Sequence, residues 1–223
     1  LKKEGINPYP NKFDVRDKTV ELHAEYNKLK AGSSSKDKAS VSGRLLRIRA
    51  LGKITFCELY DGTGTIQLIL QEKETPEKVR VFFKKYIDSG DIVGVNGRVM
   101  RTHRGELSVL VRKLELLTKS ILPLPDKFHG LVDEEERLRK RYLDIITNPE
   151  IRELFVRKSR FWNAMRNFFL ERGFLEVETP VLETTTGGAA ATPFKTHHNA
   201  LDLDVYLRIS MGELWQKKLM VAG

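Results

Sequence analysis

Over residues 41–117 apolar side chains recur mostly at every second position, with one helical interruption. The alternation predicts a first strand over about 41–50 that carries Arg44, Arg47 and Arg49. A hairpin is predicted next: Ile54 to Tyr60, the turn Asp61-Gly62-Thr63-Gly64, then Thr65 to Gln71. Pairing across that turn sets Tyr60 against Thr65, Glu58 against Gln67 and Phe56 against Ile69. Side chains alternate across a strand. Cys57, Leu59, Ile66, Leu68 and Leu70 therefore share one face, the core face, while Phe56, Glu58, Gln67 and Ile69 share the other. A turn one residue different would mismatch these faces. Pro76 then opens a helix in which Val79, Phe82, Phe83, Tyr86 and Ile87 keep helical spacing. After Gly90, two more strands are predicted over 91–102 and 106–117, joined at His103-Arg104-Gly105.

The flanks are patterned differently. Residues 1–18 are polar, with turn signals at Asn7-Pro8-Tyr9-Pro10, and read as an extended arm. Leu22, Tyr26 and Leu29 stand at i, i+4 and i+7, which predicts a short amphipathic helix. Ala31-Gly32-Ser33-Ser34-Ser35 ends it as a flexible joint. Residues 121–125 hold two prolines and read as a linker. Residues 133–142 are dense in both charges and predict a helix in which Arg137, Arg139 and Arg141 pair with Glu134, Glu135 and Glu136. Asn148-Pro149 starts a long helix. Its stripe of Ile151, Leu154, Phe155, Phe161, Trp162, Met165, Phe168 and Phe169 runs about 35 Å, as core or as a subunit interface. A strand is predicted over 174–179, ending at Pro180, which breaks its ladder. No amphipathic period runs through 187–201, which excludes a plain helix or half-buried strand. Gly188 and its alanine neighbours leave room for a ligand against the backbone; the other reading is a surface loop of small residues. Residues 202–209 alternate as a strand, and Met211-Gly212-Glu213 leads into a helix with Glu213 near its N-terminus.

Three strands, a helix and two strands is the order of a five-stranded OB barrel, whose strand two–three face and four–five loop bind oligonucleotides. Phe56 on that face suits stacking on bases, worth about 1–3 kcal/mol each; the alternative is an ordinary residue under the N-terminal arm. Gln67 and Glu106 either meet base edges or are solvated polar surface. Arg44, Arg47 and Arg49 are suited to phosphate contact, which positions RNA without reading it, or are solvated too. Composition changes the picture in one direction. The net charge is +9 from 39 Lys and Arg against 30 Asp and Glu, with pI about 9.6. That favours a polyanionic partner, or marks an ordinary basic protein. With 31% charged and 40% hydrophobic residues the 223-residue chain folds as one large or two small domains. The single cysteine, Cys57, excludes an internal disulfide and a cysteine zinc cluster. No apolar run approaches the roughly 20 residues of a membrane span, so no membrane partner is expected. The chain starts at Leu1 and stops at Gly223 after an apolar-containing run, and we expect a segment of a longer protein.

These residues, in this order, resemble the class II lysyl-tRNA synthetases over nearly the whole chain. Asn7-Pro8-Tyr9-Pro10, Gly105-Glu106-Leu107-Ser108, Leu117-Thr118-Lys119-Ser120, His129-Gly130-Leu131 and Arg141-Tyr142-Leu143-Asp144 match the family's ordered segments. Residues 174–180, Phe-Leu-Glu-Val-Glu-Thr-Pro, look like the first class II signature. The Gly-Gly-Ala loop with Pro193-Phe194, Thr196-His197 and Asn199-Ala200-Leu201 is the most specific piece, and aspartyl and asparaginyl relatives typically lack it.

The resemblance implies a β and α+β protein in four parts. An arm and helix span 1–39, an OB-fold anticodon-binding domain spans 40–119, a linker spans 120–147, and the first part of an antiparallel-sheet catalytic domain spans 148–223. It implies a cytoplasmic lysine–tRNA ligase that uses ATP with Mg2+ to make lysyl-adenylate and passes lysine to tRNA(Lys). Carried onto this chain, Arg49, Phe56, Gln67 and Glu106 contact the uridine-rich anticodon, with Phe56 stacking and Gln67 and Glu106 reading. Gly188 and Glu213 belong to the lysine pocket, and Phe161 and Pro180 to a homodimer interface. Two departures stand out. Where the family commonly has Ala-Pro before the glutamate, this chain has Ser210-Met211-Gly212, one residue longer. The chain also stops before the second and third signatures, which carry the ATP clamp and the magnesium ligands. No catalytic residue and no metal ligand is therefore expected within 1–223, and this piece alone is not expected to make adenylate. The alternatives are a non-catalytic OB-fold RNA-binding or scaffold protein and an aspartyl or asparaginyl relative.

Overall fold

The structure, a computed structural model, describes residues 1–125, 131, 133–188 and 190–223. It consists of two compact units, Leu1–Thr147 and Asn148–Gly223.

The first unit is built on a closed barrel. Its elements are α1 (Thr19–Glu25), β1 (Ser34–Leu51), β2 (Ile54–Tyr60), β3 (Thr65–Gln71), α2 (Glu77–Tyr86), β4 (Ile92–Arg101) and β5 (Leu107–Thr118). The strands close in the order β1-β2-β3-β5-β4, with β1 bonded to both β2 and β4. This is the five-stranded OB arrangement. The hairpin register is the expected one: Tyr60 faces Thr65, Glu58 faces Gln67 and Phe56 faces Ile69. Cys57, Leu59, Ile66, Leu68 and Leu70 all enter the core, joined by Val41, Leu45, Val93, Val95, Val99 and Val109. Burial pushes the Cys57 thiol up to about 12. Ile69, on the opposite face, is also buried, because β5 pairs beside it with Leu110 opposite. From α2, Val79 and Phe83 point into the same core.

Three expectations for this unit are corrected. The first strand begins at Ser34, not near 41, so part of the expected joint is strand. Residues 34–38 alternate poorly, but β4 supplies their ladder through Arg98 and Met100. The charged stretch after residue 133 is not one helix but two short ones, α3 (Glu134–Arg139) and α4 (Arg141–Thr147). Of its arginines only Arg139 pairs as expected, with Glu135 at 2.7 Å. Arg137 and Arg141 instead meet Asp144 at 3.0 and 2.5 Å. Asp144 is fully buried, and a buried carboxylate draws cations to it. His129 and Gly130 of the family-like segment lie outside the described residues.

The second unit holds α5 (Pro149–Leu170), β6 (Leu182–Glu183), β7 (Lys195–His198), β8 (Leu203–Leu207) and α6 (Lys217–Ala222). Pro149 sits in the first turn of α5, where its missing N–H costs nothing. The three strands form an antiparallel sheet in the order β6-β8-β7. No strand forms over 174–179. The alternation there is real, but no ladder partner meets it among the described residues, and pairing begins only beyond Pro180. Within the 187–201 stretch no half-buried strand forms, but the polar run Lys195–His198 pairs with β8 as the exposed strand β7. The segment leading to α6 opens as a five-residue π turn, Gly212–Gln216.

Candidate functional site

The outer wall of the barrel carries two adjoining rows. In the first, Arg49 faces Phe56, Phe56 faces Ile69, and Ile69 faces Leu110. In the second, Arg47 faces Glu58, Glu58 faces Gln67, and Gln67 faces Ser108. Residues opposite one another share a face, so Arg49, Phe56 and Gln67 stand on one surface. Phe56 is half-buried rather than exposed, its ring between the Arg49 and Ile69 positions. Three expected phosphate-contact arginines separate into three roles. Arg44 donates to the Gly90 carbonyl at 2.7 Å and belongs to the scaffold. Arg47 lies 3.7 Å from Glu58 in an exposed pair, which is worth little energetically. Arg49 is exposed, and no ion pair involves it among the described residues.

Glu106 follows the β4–β5 turn. Its backbone is held at every polar atom: its N–H donates to Thr102 Oγ1 at 3.0 Å, and its carbonyl accepts from Thr102 N at 2.9 Å. The preceding carbonyl, of Gly105, accepts from Arg101 at 2.7 Å, and the same guanidinium donates to Tyr26 O at 2.8 Å. The Glu106 side chain is exposed. The turn is thus braced by the α1–β1 connection while its carboxylate stays open to a partner. The residue missed in the sequence is Ser108, fully buried, with its hydroxyl 2.9 Å from Gln67 Oε1. The available signal was a lone hydroxyl in the apolar run Leu107–Val111, on the parity of the outer face.

In the second unit the small-residue loop packs on the segment before Glu213. Gly188 has φ +88°, and a Cβ there would lie 2.8 Å from Ser210 Cβ. Both the left-handed backbone and the contact require glycine. Ser210 Oγ accepts from Gly212 N at 3.2 Å, and both Trp215 N and Gln216 N reach Met211 O at 3.0 Å. A π turn holds one residue more than an α turn, and here it follows directly on Ser210 and Met211. Glu213 is exposed, with Lys217 Nζ at 3.8 Å. The Trp215 indole N–H donates to Glu183. Ser210 therefore links the Gly188 loop to the turn that carries Glu213. On β7 and β8, Lys195 and His197 both meet Asp204, at 2.5 and 2.9 Å. The Lys195 hydrogen bond, then that of His197, holds the Asp204 carboxyl below its usual value. Pro180 is exposed, and its carbonyl accepts from Arg208 at 2.8 Å. Phe161 is 59% exposed. Beside it on α5, Trp162, Met165 and Phe169 line a groove of about 380 Å³. Among the described residues, no group of three or more His, Cys, Asp or Glu side chains is placed to hold a metal ion, and no helix is long and apolar enough to cross a membrane.

Two parts of the chain match known protein families. Residues 39–117 match the OB-fold nucleic acid binding domain. Residues 133–223 match the family model of class II tRNA synthetases (D, K and N). Over its second part the chain is thus similar to the class II tRNA synthetases. A lysine–tRNA ligase of Synechococcus sp. is 50% identical over all 223 residues, which cover 45% of that protein. Those of Moorella thermoacetica and Salmonella arizonae are each 48% identical over the whole chain and 44% covered. The chain thus spans a little under half the length of these relatives. The first match runs from within β1 to one residue short of the end of β5, and α3–α6 and the second sheet fall inside the second.

Proposed function

We propose that the chain is part of a lysine–tRNA ligase, in which the barrel binds the anticodon of tRNA(Lys) and residues 148–223 contribute to the lysine pocket and to a homodimer interface. The observation that supports this reading is the outer barrel face, where Arg49, Phe56 and Gln67 stand on one surface and Gln67 pairs with Ser108, two residues after Glu106, in a chain about half identical to lysine–tRNA ligases. Phe56 stacks on an anticodon base, Gln67 and Glu106 meet base edges, and Arg49 contacts phosphate. Glu213 pairs with the α-ammonium of lysine, and Gly188 admits the amino acid against its backbone. In the complete enzyme, which would work in the cytoplasm, lysine and ATP give lysyl-adenylate and pyrophosphate, and the lysyl group passes to the terminal ribose of the tRNA. Such a reaction needs positioning and charge stabilisation rather than a protein nucleophile. Magnesium would accompany ATP, but the described residues do not form a site for it, and no role is assigned to them toward it.

The test is binding of the 223-residue chain to two transcripts of tRNA(Lys), one with the UUU anticodon and one with that triplet replaced, over a salt series. The native anticodon should bind tighter by about 1–3 kcal/mol per lost base contact, with the gap persisting as salt rises. Phe56→Ala should erase much of the gap. Equal binding that weakens in parallel with salt means the +9 charge acts without reading sequence, which favours a general RNA-binding role.

A further inference from the structure

Ser108 is the one polar residue in the run Leu107–Val111, and it is fully buried. A buried hydroxyl must find a partner or cost stability. Its hydroxyl oxygen lies 2.9 Å from Gln67 Oε1 and 3.2 Å from the Glu106 carbonyl. One hydroxyl proton serves one strong bond. The Glu106 carbonyl already accepts from Thr102 N at 2.9 Å. Gln67 Oε1 is nearer and has no other bond among the described residues. The Ser108 proton therefore goes to Gln67.

The consequence is chemical. A carboxamide has an acceptor on one side and two donors on the other, and a free one can turn over. With its oxygen tied to Ser108 at the barrel wall, Gln67 turns its NH2 outward. It then offers the outer face donors only. Resting on the reading that this face meets the anticodon, we infer that Ser108 is a positioning residue that sets base specificity. By locking the Gln67 amide, it makes the barrel prefer a base that presents a carbonyl at that point over one that presents an amino group. Uridine and cytidine differ in this respect at C4: a carbonyl acceptor in uracil, an amino donor in cytosine. Facing the locked amide, the cytosine amino group meets a donor and leaves both groups unpaired.

The experiment measures binding of the chain to tRNA(Lys) transcripts carrying UUU or a single U→C change at each anticodon position. The unaltered chain should favour uridine at the position Gln67 faces. Ser108→Ala should reduce that uridine-to-cytidine ratio by roughly 3- to 10-fold, mostly by improving cytidine binding, because the freed amide can present its oxygen. Gln67→Glu keeps an acceptor for Ser108 but turns a second acceptor outward, and should shift preference toward cytidine. Gln67→Ala should lose discrimination there, and Ser108→Ala should add nothing in that background. A merely structural serine would lower binding to all transcripts alike, in both backgrounds, and that result overturns the inference. So does an unchanged ratio in Ser108→Ala. The orientation is also read without RNA, by NMR of the free chain: the Gln67 amide protons should show no nuclear Overhauser contact to the Ser108 β protons. Strong contacts there overturn the inference itself. If the unaltered chain ignores every U→C change while the amide orientation is as stated, it is the anticodon reading that fails.

Discussion

Asp61 shows how one residue joins two elements. The residue capping α1 is Lys18, whose side chain has no oxygen to accept the first helical N–H groups. Asp61, in the β2–β3 turn, supplies the acceptor from elsewhere: its carboxylate takes Thr19 N at 2.7 Å and Thr19 Oγ1 at 2.9 Å. It also takes Thr63 N at 2.8 Å and Gly64 N at 3.1 Å, closing its own turn. Burial pushes this carboxyl up, but the hydrogen bonds from Thr19 and Thr63 outweigh it and hold the group below its usual value. The unfolded chain therefore takes up the proton first as pH falls. The contribution of Asp61 is fully present above the ordinary carboxylate value near 3.9 and is lost as pH drops through the lower folded value. Asp61→Asn should cost about 1 kcal/mol at neutral pH, as for a lost helix cap. It should also flatten the fall of melting temperature with pH below about 4 relative to the parent chain. A variant with the same acid slope as its parent would show that the charge is not what holds α1.

At the scale of the element, β1 decides whether the barrel closes. It pairs with β4 from Ser34 to Arg44 and with β2 from Arg44 to Leu51, so it turns a corner near Gly43. A Cβ on Gly43 would lie 2.3 Å from the Tyr60 carbonyl oxygen, and backbone cannot give way as a flexible side chain can. Gly43→Ala should cost about 3 kcal/mol or more, at or beyond the upper end of ordinary overpacking. Gly105→Ala, at φ +88° with open space around it, should cost only the left-handed strain, about 1–2 kcal/mol. Urea midpoints of the two variants compare them, and equal losses would refute the corner argument. The hairpin was legible in the sequence because a turn of known length sets the parity of both strands. The opening of β1 was not, because Ser34, Ser35, Lys36, Asp37 and Lys38 carry no apolar alternation, and the pairings that hold this stretch, Ser34 with Met100 and Lys38 with Arg98, reach about sixty residues along the chain. The converse held at 174–179, where alternation was present and no partner strand meets it among the described residues.

For the molecule as a whole, the two units bury apolar surface very differently. The barrel unit has a continuous core from Leu22 to Leu116. Among the described residues of the second unit, Val205 is the only buried hydrophobic. Along α5, Phe155, Phe161, Trp162, Phe168 and Phe169 are each more than 40% exposed. An apolar face of that extent needs a cover, and the homodimer proposed above would supply one. Sedimentation of the chain should show reversible, concentration-dependent association, and Phe161→Asp should shift it to the monomer without lowering the melting temperature of the barrel. A parent chain that stays monomeric at all concentrations would remove α5 from the interface.

Spacing along the sequence by itself determined the order of the barrel elements, the register of β2 against β3 and the face that Phe56 and Gln67 share. These follow from local periodicity and from the parity of one short turn. Only the tertiary structure brought Ser108 against Gln67, Asp61 against Thr19, and Ser210 against Gly188. Those contacts join residues 41, 42 and 22 positions apart. Barrel closure and loop packing create them, and no local pattern records which distant hydroxyl, carboxylate or glycine will meet.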